Sequence, residues 1–134
     1  MFRNKKTEGE LKLFRFILAK FGYKPKRLSY FQKAITHRSF IGNHREEYSN
    51  ERLEYLGDAI LDSITAEYLF LKFPDNDEGA LTKLKSKIVN RKNLSKLGED
   101  MGIREVLLYN QSRSININSL EGNAFEAIVG AIYL

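Results

Sequence analysis

The sequence predicts an all-α fold. Three observations lead there. Apolar residues recur at three- and four-residue steps through most of the chain, the segments carrying them are closed by helix-stopping Gly and Pro residues, and only the short tract SININ near the end has strand character. At 134 residues, with 43% hydrophobic and 29% charged residues, the chain fits one domain with a single core and a charged surface.

Each element has its own signals. A first helix is expected over residues 8–21, with Gly22 as its stop. Lys24-Pro25 makes a turn, and Ser29 caps a second helix reaching His37. A polar loop, HRSFIGNHREEYS, follows. Ser49 or Asn50 opens a third helix that runs to Pro74, with Leu53, Leu56, Ile60, Ile64 and Leu71 along its apolar side. A fourth is expected over 77–90 with Leu81, Leu84 and Ile88 inward, and a fifth over 92–101, closed by Gly102. Residues 103–116 carry no clear pattern, and SININ is read as loop. The last helix opens near Asn118, in a capping-box arrangement with Glu121. Phe125, Ile128, Val129 and Ile132 form its core stripe, while Ala127, Gly130 and Ala131 let another helix approach. The chain reaches Leu134 inside this pattern without a C-terminal cap, the expectation for a polypeptide that continues.

Composition removes several function classes. With no cysteine there is no disulfide or thiolate zinc site, which suits a reducing cytoplasm. Two histidines, His37 and His44, are too few for most zinc sites, and His37 is expected to pack or bond within its loop. No apolar run approaches the ~20 residues of a membrane span. LKLFRFILAKF is interrupted by Lys12, Arg15 and Lys20, so it is either a basic membrane-surface helix or an amphipathic helix lying on the core. A net charge of +5 and a pI near 9.4 favour a polyanionic partner, the more so because the acids cluster and the bases surround them in sequence.

The cluster is NERLEYLGDAILD, residues 50–62. Glu51, Glu54 and Asp58 fall at i, i+3 and i+7, one side of a helix. Three carboxylates on one stripe repel unless water, basic groups or a divalent cation offsets them. The closing segment EGNAFEAIVGAIYL supplies Asn123 and Glu126 at i, i+3. If the two helices face each other, Glu54, Asp58 and Glu126 give three anionic oxygens and Asn123 a neutral one, a donor set suited to Mg²⁺. Such a site would activate water and neutralise charge on a phosphodiester without a nucleophilic side chain. The rival reading is a surface stripe of acids paired with Lys and Arg. Gly57 costs about 1 kcal/mol of helix propensity, so close packing beside the stripe is its expected reason.

NERLEYLGDAIL resembles the signature motif of the ribonuclease III endonuclease domain. FGYKPKRLSYFQKAITHRSF resembles that family's opening helices, DEGALTKLKSKIVN the segment after the signature, and GNAFEAIVGAIYL the closing catalytic helix. The ordered resemblance runs from Phe21 to Leu134. It implies the family's helical endonuclease fold, a homodimer, and Mg²⁺-dependent cleavage of double-stranded RNA to 5′-phosphate and 3′-hydroxyl ends, with rRNA precursors among the substrates and Mn²⁺ able to substitute. It implies that Glu54 and Asp58 are metal-site carboxylates, that Asp58 and Glu126 are catalytic, and that Glu51 and Glu78 are further acids of the dimer's processing valley. Tyr55 matches an aromatic that inserts into the partner, although it can equally be core. Two positions depart. Asn123 stands where the family commonly has Asp, which weakens metal affinity and leaves open an impaired or inactive RNA-binding module. Lys85 replaces the usual Arg and loses bidentate geometry. Family members typically continue into a double-stranded RNA-binding domain, and none is expected within these residues.

Lys83, Lys87 and Arg91 follow at i, i+4, i+8 and would hold phosphates beside the acids, or else form an ordinary solvated face. Ser39 is expected to bond its own local backbone.

Overall fold

The structure is a computed structural model that describes residues 5–42 and 45–134. His44 lies outside the described residues. Six α-helices carry the fold: α1 (Glu8–Phe21), α2 (Leu28–Ala34), α3 (Glu51–Lys72), α4 (Glu78–Ile88), α5 (Arg91–Asp100) and α6 (Ile117–Tyr133), with one-turn 3₁₀ helices at Glu46–Tyr48 and Ile103–Glu105.

Local chemistry explains most boundaries. The Thr7 hydroxyl accepts from the Glu10 amide at 3.2 Å and the Glu10 carboxylate accepts from the Thr7 amide at 3.4 Å, a full capping box for α1. Gly22 ends α1 in the left-handed region, φ 64°, and its N–H donates to Leu18 O. Asp77 caps α4, Asn90 caps α5 and Asn116 caps α6, each accepting a backbone N–H.

Three expected caps do not form. Asn50 stands at the start of α3 without a side-chain cap, its side-chain amide donating instead to Ala34 O. Ser29 lies inside α2, which starts at Leu28 without a side-chain cap. That helix also stops three residues short of His37. There the chain straightens so that Thr36 bridges Leu108 in parallel, Leu108 N–H donating to Ile35 O at 2.9 Å and His37 N–H to Leu108 O at 2.8 Å. At α6 the expected Asn118–Glu121 box is replaced. Asn116 caps the helix, and Glu121 is fully buried against Arg104, whose guanidinium donates to it at 2.6 Å (Nη2) and 3.2 Å (Nε). Burial of a carboxylate is tolerable only with such pairing.

α6 is the central element. Ala124, Ala127, Ile128 and Ala131 are at most 2% exposed, and Ile17, Phe31 and Ile103 close the core around them. Its two long neighbours cross it at glycines. A Cβ on Gly57 of α3 would collide with the Glu126 carbonyl, and one on Gly130 would meet Leu53 O at 2.5 Å. On the other flank Gly98 of α5 abuts Glu121. The close approach read from Gly57 and Gly130 is thus a backbone-on-backbone crossing of α3 and α6.

α3 extends past this body. Leu53 is buried and Leu56 and Ile60 are half-buried, but Ile64 is 58% and Leu71 68% exposed. The apolar side expected to face inward along the whole helix does so only over its first half. Beyond that, Leu69 packs at 2% exposure in the groove between α3 and α4, with Leu81, while Phe70 remains 69% exposed.

Candidate active site

The α3–α6 crossing sets the site. Because Gly57 touches the backbone at Glu126, the residues flanking it, Glu54 and Asp58, are carried to the α6 face that bears Asn123 and Glu126. These four line one cavity of about 580 Å³ together with Glu51, Tyr55, Val89, Asn90, Arg91 and Leu94. The first turn of α5 contributes Arg91 and Leu94 to this lining.

Electrostatics record the crowding. Glu126 is 9% exposed, and burial, followed by the Asp58 charge, a hydrogen bond with Asp58, and Glu54 and Asp62, pushes its carboxyl up to about 8. Burial and the neighbouring Glu51 also raise Glu54, with Arg91 pulling the other way and Asp58 adding to the rise. Protonated Glu126 bonded to Asp58 is therefore the form expected near neutral pH when no cation offsets the charge. In this side-chain arrangement no three His, Cys, Asp or Glu groups among the described residues stand together closely enough to grip a metal ion. The donor chemistry nonetheless fits one. Hard carboxylate and carboxamide oxygens from two helices face one cavity, and their mutual repulsion is what a divalent cation relieves.

Other expected residues fall elsewhere. Glu78, at the start of α4, lines the separate α3–α4 groove with Phe70, Phe73, Leu81 and Lys85, not the cavity of Glu126. Lys83 and Lys87 are exposed on α4, but the stripe meant to include Arg91 is broken. The chain turns through extended Val89 and Asn90, φ −147° and ψ 165° at the latter, so Arg91 starts a new helix and enters the cavity alone. The Asn90 and Asn93 side chains fix this junction by donating to the carbonyls of Ser86, Lys87 and Ile88 at 2.7–3.2 Å. Asn before a basic helix start is a capping signal, and it was the cue to this break. Tyr55 is 82% exposed, so it is not part of this chain's own core. His37 is half-buried, and its Nδ1 accepts from Ser39 N–H at 3.1 Å, which agrees with a loop-bonding role. The Ser39 hydroxyl bonds beyond its own loop as well, accepting from Asn110 N–H at 2.9 Å.

This all-α fold is that of solved nuclease domains. The structure matches the nuclease domain of ribonuclease III from Campylobacter jejuni with a TM-score of 0.81 at 35% identity, covering 90% of this chain and 84% of that one. That work describes flexibility in a region involved in dimer formation. The family model described as Ribonuclease-III-like matches residues 28–134. Ribonuclease 3 of Zunongwangia profunda is 46% identical over 120 residues, 84% of this chain and 47% of the relative. Ribonuclease 3 of Azobacteroides pseudotrichonymphae is 42% identical over 137 residues, 99% of this chain and 50% of the relative. The chain belongs to the ribonuclease III family. It spans about half the length of these curated relatives.

Proposed function

We propose that this chain is a Mg²⁺-dependent endonuclease domain that cleaves double-stranded RNA, including rRNA precursors, as a homodimer in the cytoplasm. The observation that carries this reading is the meeting of Glu54, Asp58, Asn123 and Glu126 on one cavity, with the Glu126 carboxyl pushed up to about 8 by its acidic neighbours. Glu54, Asp58, Asn123 and Glu126 would hold the cation, and Mn²⁺ should substitute. When bound, the cation supplies charge neutralisation at the phosphodiester and a lowered pKa for water.

The chain's own residues supply the rest. With a cation held there, Glu126 would be ionised, its proton released to solvent, and Asp58 and Glu126 would orient a water for attack on phosphorus. A bond would form from the water oxygen to phosphorus as that water loses a proton to solvent, the bond from phosphorus to the 3′ oxygen would break, and that oxygen would take a proton from solvent. The products are a 5′-phosphate and a 3′-hydroxyl. Arg91 lines the same cavity as the acids and would give an entering phosphate a cationic partner.

A second copy is the expected cover for the outer half of α3. Ile64, Phe70 and Leu71 are exposed along it, and the α3–α4 groove of about 620 Å³ is lined largely by apolar side chains. Tyr55, 82% exposed at the cavity edge, would enter the partner, and Glu78 would act only from across the interface.

The test is cleavage of long double-stranded RNA at low salt with Mg²⁺, comparing the natural chain with Asn123→Asp. Cleavage by both supports the enzyme reading with Asn123 as a working neutral ligand. Cleavage by the Asp variant alone makes this a catalytic scaffold silenced at position 123. Cleavage by neither overturns the enzyme reading in favour of a non-catalytic RNA-binding module.

A further inference from the structure

α1 carries two apolar faces. Leu13, Phe16 and Ile17 are at most 6% exposed and pack on the core. Leu11, Phe14 and Leu18, at i, i+3 and i+7, form a second apolar stripe on the other side of the helix. Leu11 is 36% and Leu18 45% exposed. Phe14 is half-buried, and Lys6 Nζ stands 3.9 Å from its ring centroid. Arg15 is exposed beside the stripe, one turn from both leucines. LKLFRFILAKF is thus a core helix whose solvent side is also apolar, set among bases.

The charge around this helix is not offset. Residues 5–27 hold eight lysines and arginines, all exposed, against two glutamates, while residues 28–134 hold 13 bases against 15 acids. None of those eight forms an ion pair with a carboxylate among the described residues. The net positive charge of the chain therefore sits on α1 and the turns beside it. RNA over the acid cavity does not account for it. Phe21 of α1 stacks on Phe125 of α6 with ring centroids 6.0 Å apart. Phe125 points about 130° around α6 from the mean direction of Asn123 and Glu126. α1 therefore lies behind the helix whose front carries the acids, and a duplex over the acids leaves this face open. Leucines add nothing to a phosphate contact, and a convex helix offers a peptide no groove. Apolar side chains between uncompensated bases suit a partner with anionic groups outside and an apolar interior within reach.

We propose that the outer face of α1 docks on an anionic lipid surface. Leu11, Phe14 and Leu18 enter the boundary between headgroups and acyl chains, and Lys6 and Arg15 meet the lipid phosphates. Three side chains alone hold the chain weakly, and the uncompensated bases supply the second attraction that reversible anchoring needs. Docked in this way, the domain turns its acid cavity away from the lipid.

The test is partitioning of the 134-residue chain onto vesicles of phosphatidylcholine with phosphatidylglycerol, and of phosphatidylcholine alone, over a salt series. Binding is expected to the anionic vesicles only, and it should weaken as salt rises. Arg15→Gln should lower it about fivefold and flatten the salt dependence. Leu11→Gln combined with Leu18→Gln should lower it at every salt concentration without changing that dependence, because only apolar contact is removed. The chain has no tryptophan, so Leu18→Trp reports on the face directly, and its emission should shift to the blue on the anionic vesicles. Circular dichroism checks that all variants are folded. Duplex cleavage by the double leucine variant should equal that of the natural chain, which separates this test from the nuclease reading. Failure of the natural chain to bind anionic vesicles at low salt overturns the proposal, and binding of a Glu-rich amphipathic peptide in their place would assign the face to a protein partner. Equal binding by the natural chain and the double leucine variant overturns it too, by reducing the contact to charge alone. So does an equal loss in Lys83→Gln and Arg15→Gln, which would spread the contact over the whole surface.

Discussion

A carboxyl group that keeps its proton to about pH 8 has consequences for both folding and ligand binding. Glu126 has an ordinary value of 4.5 when unfolded and is raised on folding, so between these values the folded chain holds a proton that the unfolded chain releases. Stability should therefore fall as pH rises through that window. The cation-free chain is expected to melt higher at pH 5.5 than at pH 8 where Glu126 dominates, and Glu126→Gln should flatten the difference and melt higher than the natural chain at pH 8. Thermal melts in chelator at both pH values check this. An identical pH response in the variant would remove Glu126 as the source. Glu126→Gln should also lose more than about 100-fold in cleavage, since even partners of metal ligands cost 10- to 100-fold. Much at this scale was legible, because carboxylate spacing on a helix is fixed by geometry. Glu121 was not. Its three-residue spacing from Asn118 fits a capping box, and nothing local tells that Arg104 lies across the fold to bury it.

At the scale of elements, helix ends were readable where the stop is local and misread where a tertiary contact does the stopping. Gly22 needs only its own left-handed backbone. The end of α2 depends on Leu108, more than seventy residues away, which no window around His37 reveals. The α3–α6 crossing makes the sharpest demand on sequence. Gly57→Ala drives a methyl into the Glu126 carbonyl, so the helices must separate. A loss of about 3 kcal/mol or more is expected. Gly9→Ala, in a helix and with nothing within 4 Å, should instead stabilise by about 0.5–1 kcal/mol. Urea unfolding of the two variants provides the comparison, and similar midpoints would contradict a backbone crossing.

For the whole molecule, apolar residues at three- and four-residue steps made the all-α class readable, and the central place of α6 follows from its many small and apolar residues. Sequence could not tell which half of α3 faces this chain's own core, because Leu53 and Leu71 look alike until burial separates them. Exposure of Phe70, Leu71 and Tyr55 leads to an expectation about assembly. Phe70→Asp should shift the chain from dimer to monomer in sedimentation velocity while helix content is retained, and a natural chain that is already monomeric at micromolar concentration would exclude this surface as a homodimer contact.

The continuous α3 also belongs to two cooperative units. Its first half is clamped to α6 and can open only when the body unfolds. Its second half leans on α4, a helix with no fully buried residue of its own. That outer half is expected to open before the acid-bearing half, a sub-global opening below the free energy of full unfolding that hydrogen exchange would detect. A single rod of 22 residues thus has an end that carries the acid cluster, clamped to α6, and an end expected to be looser until something docks against it.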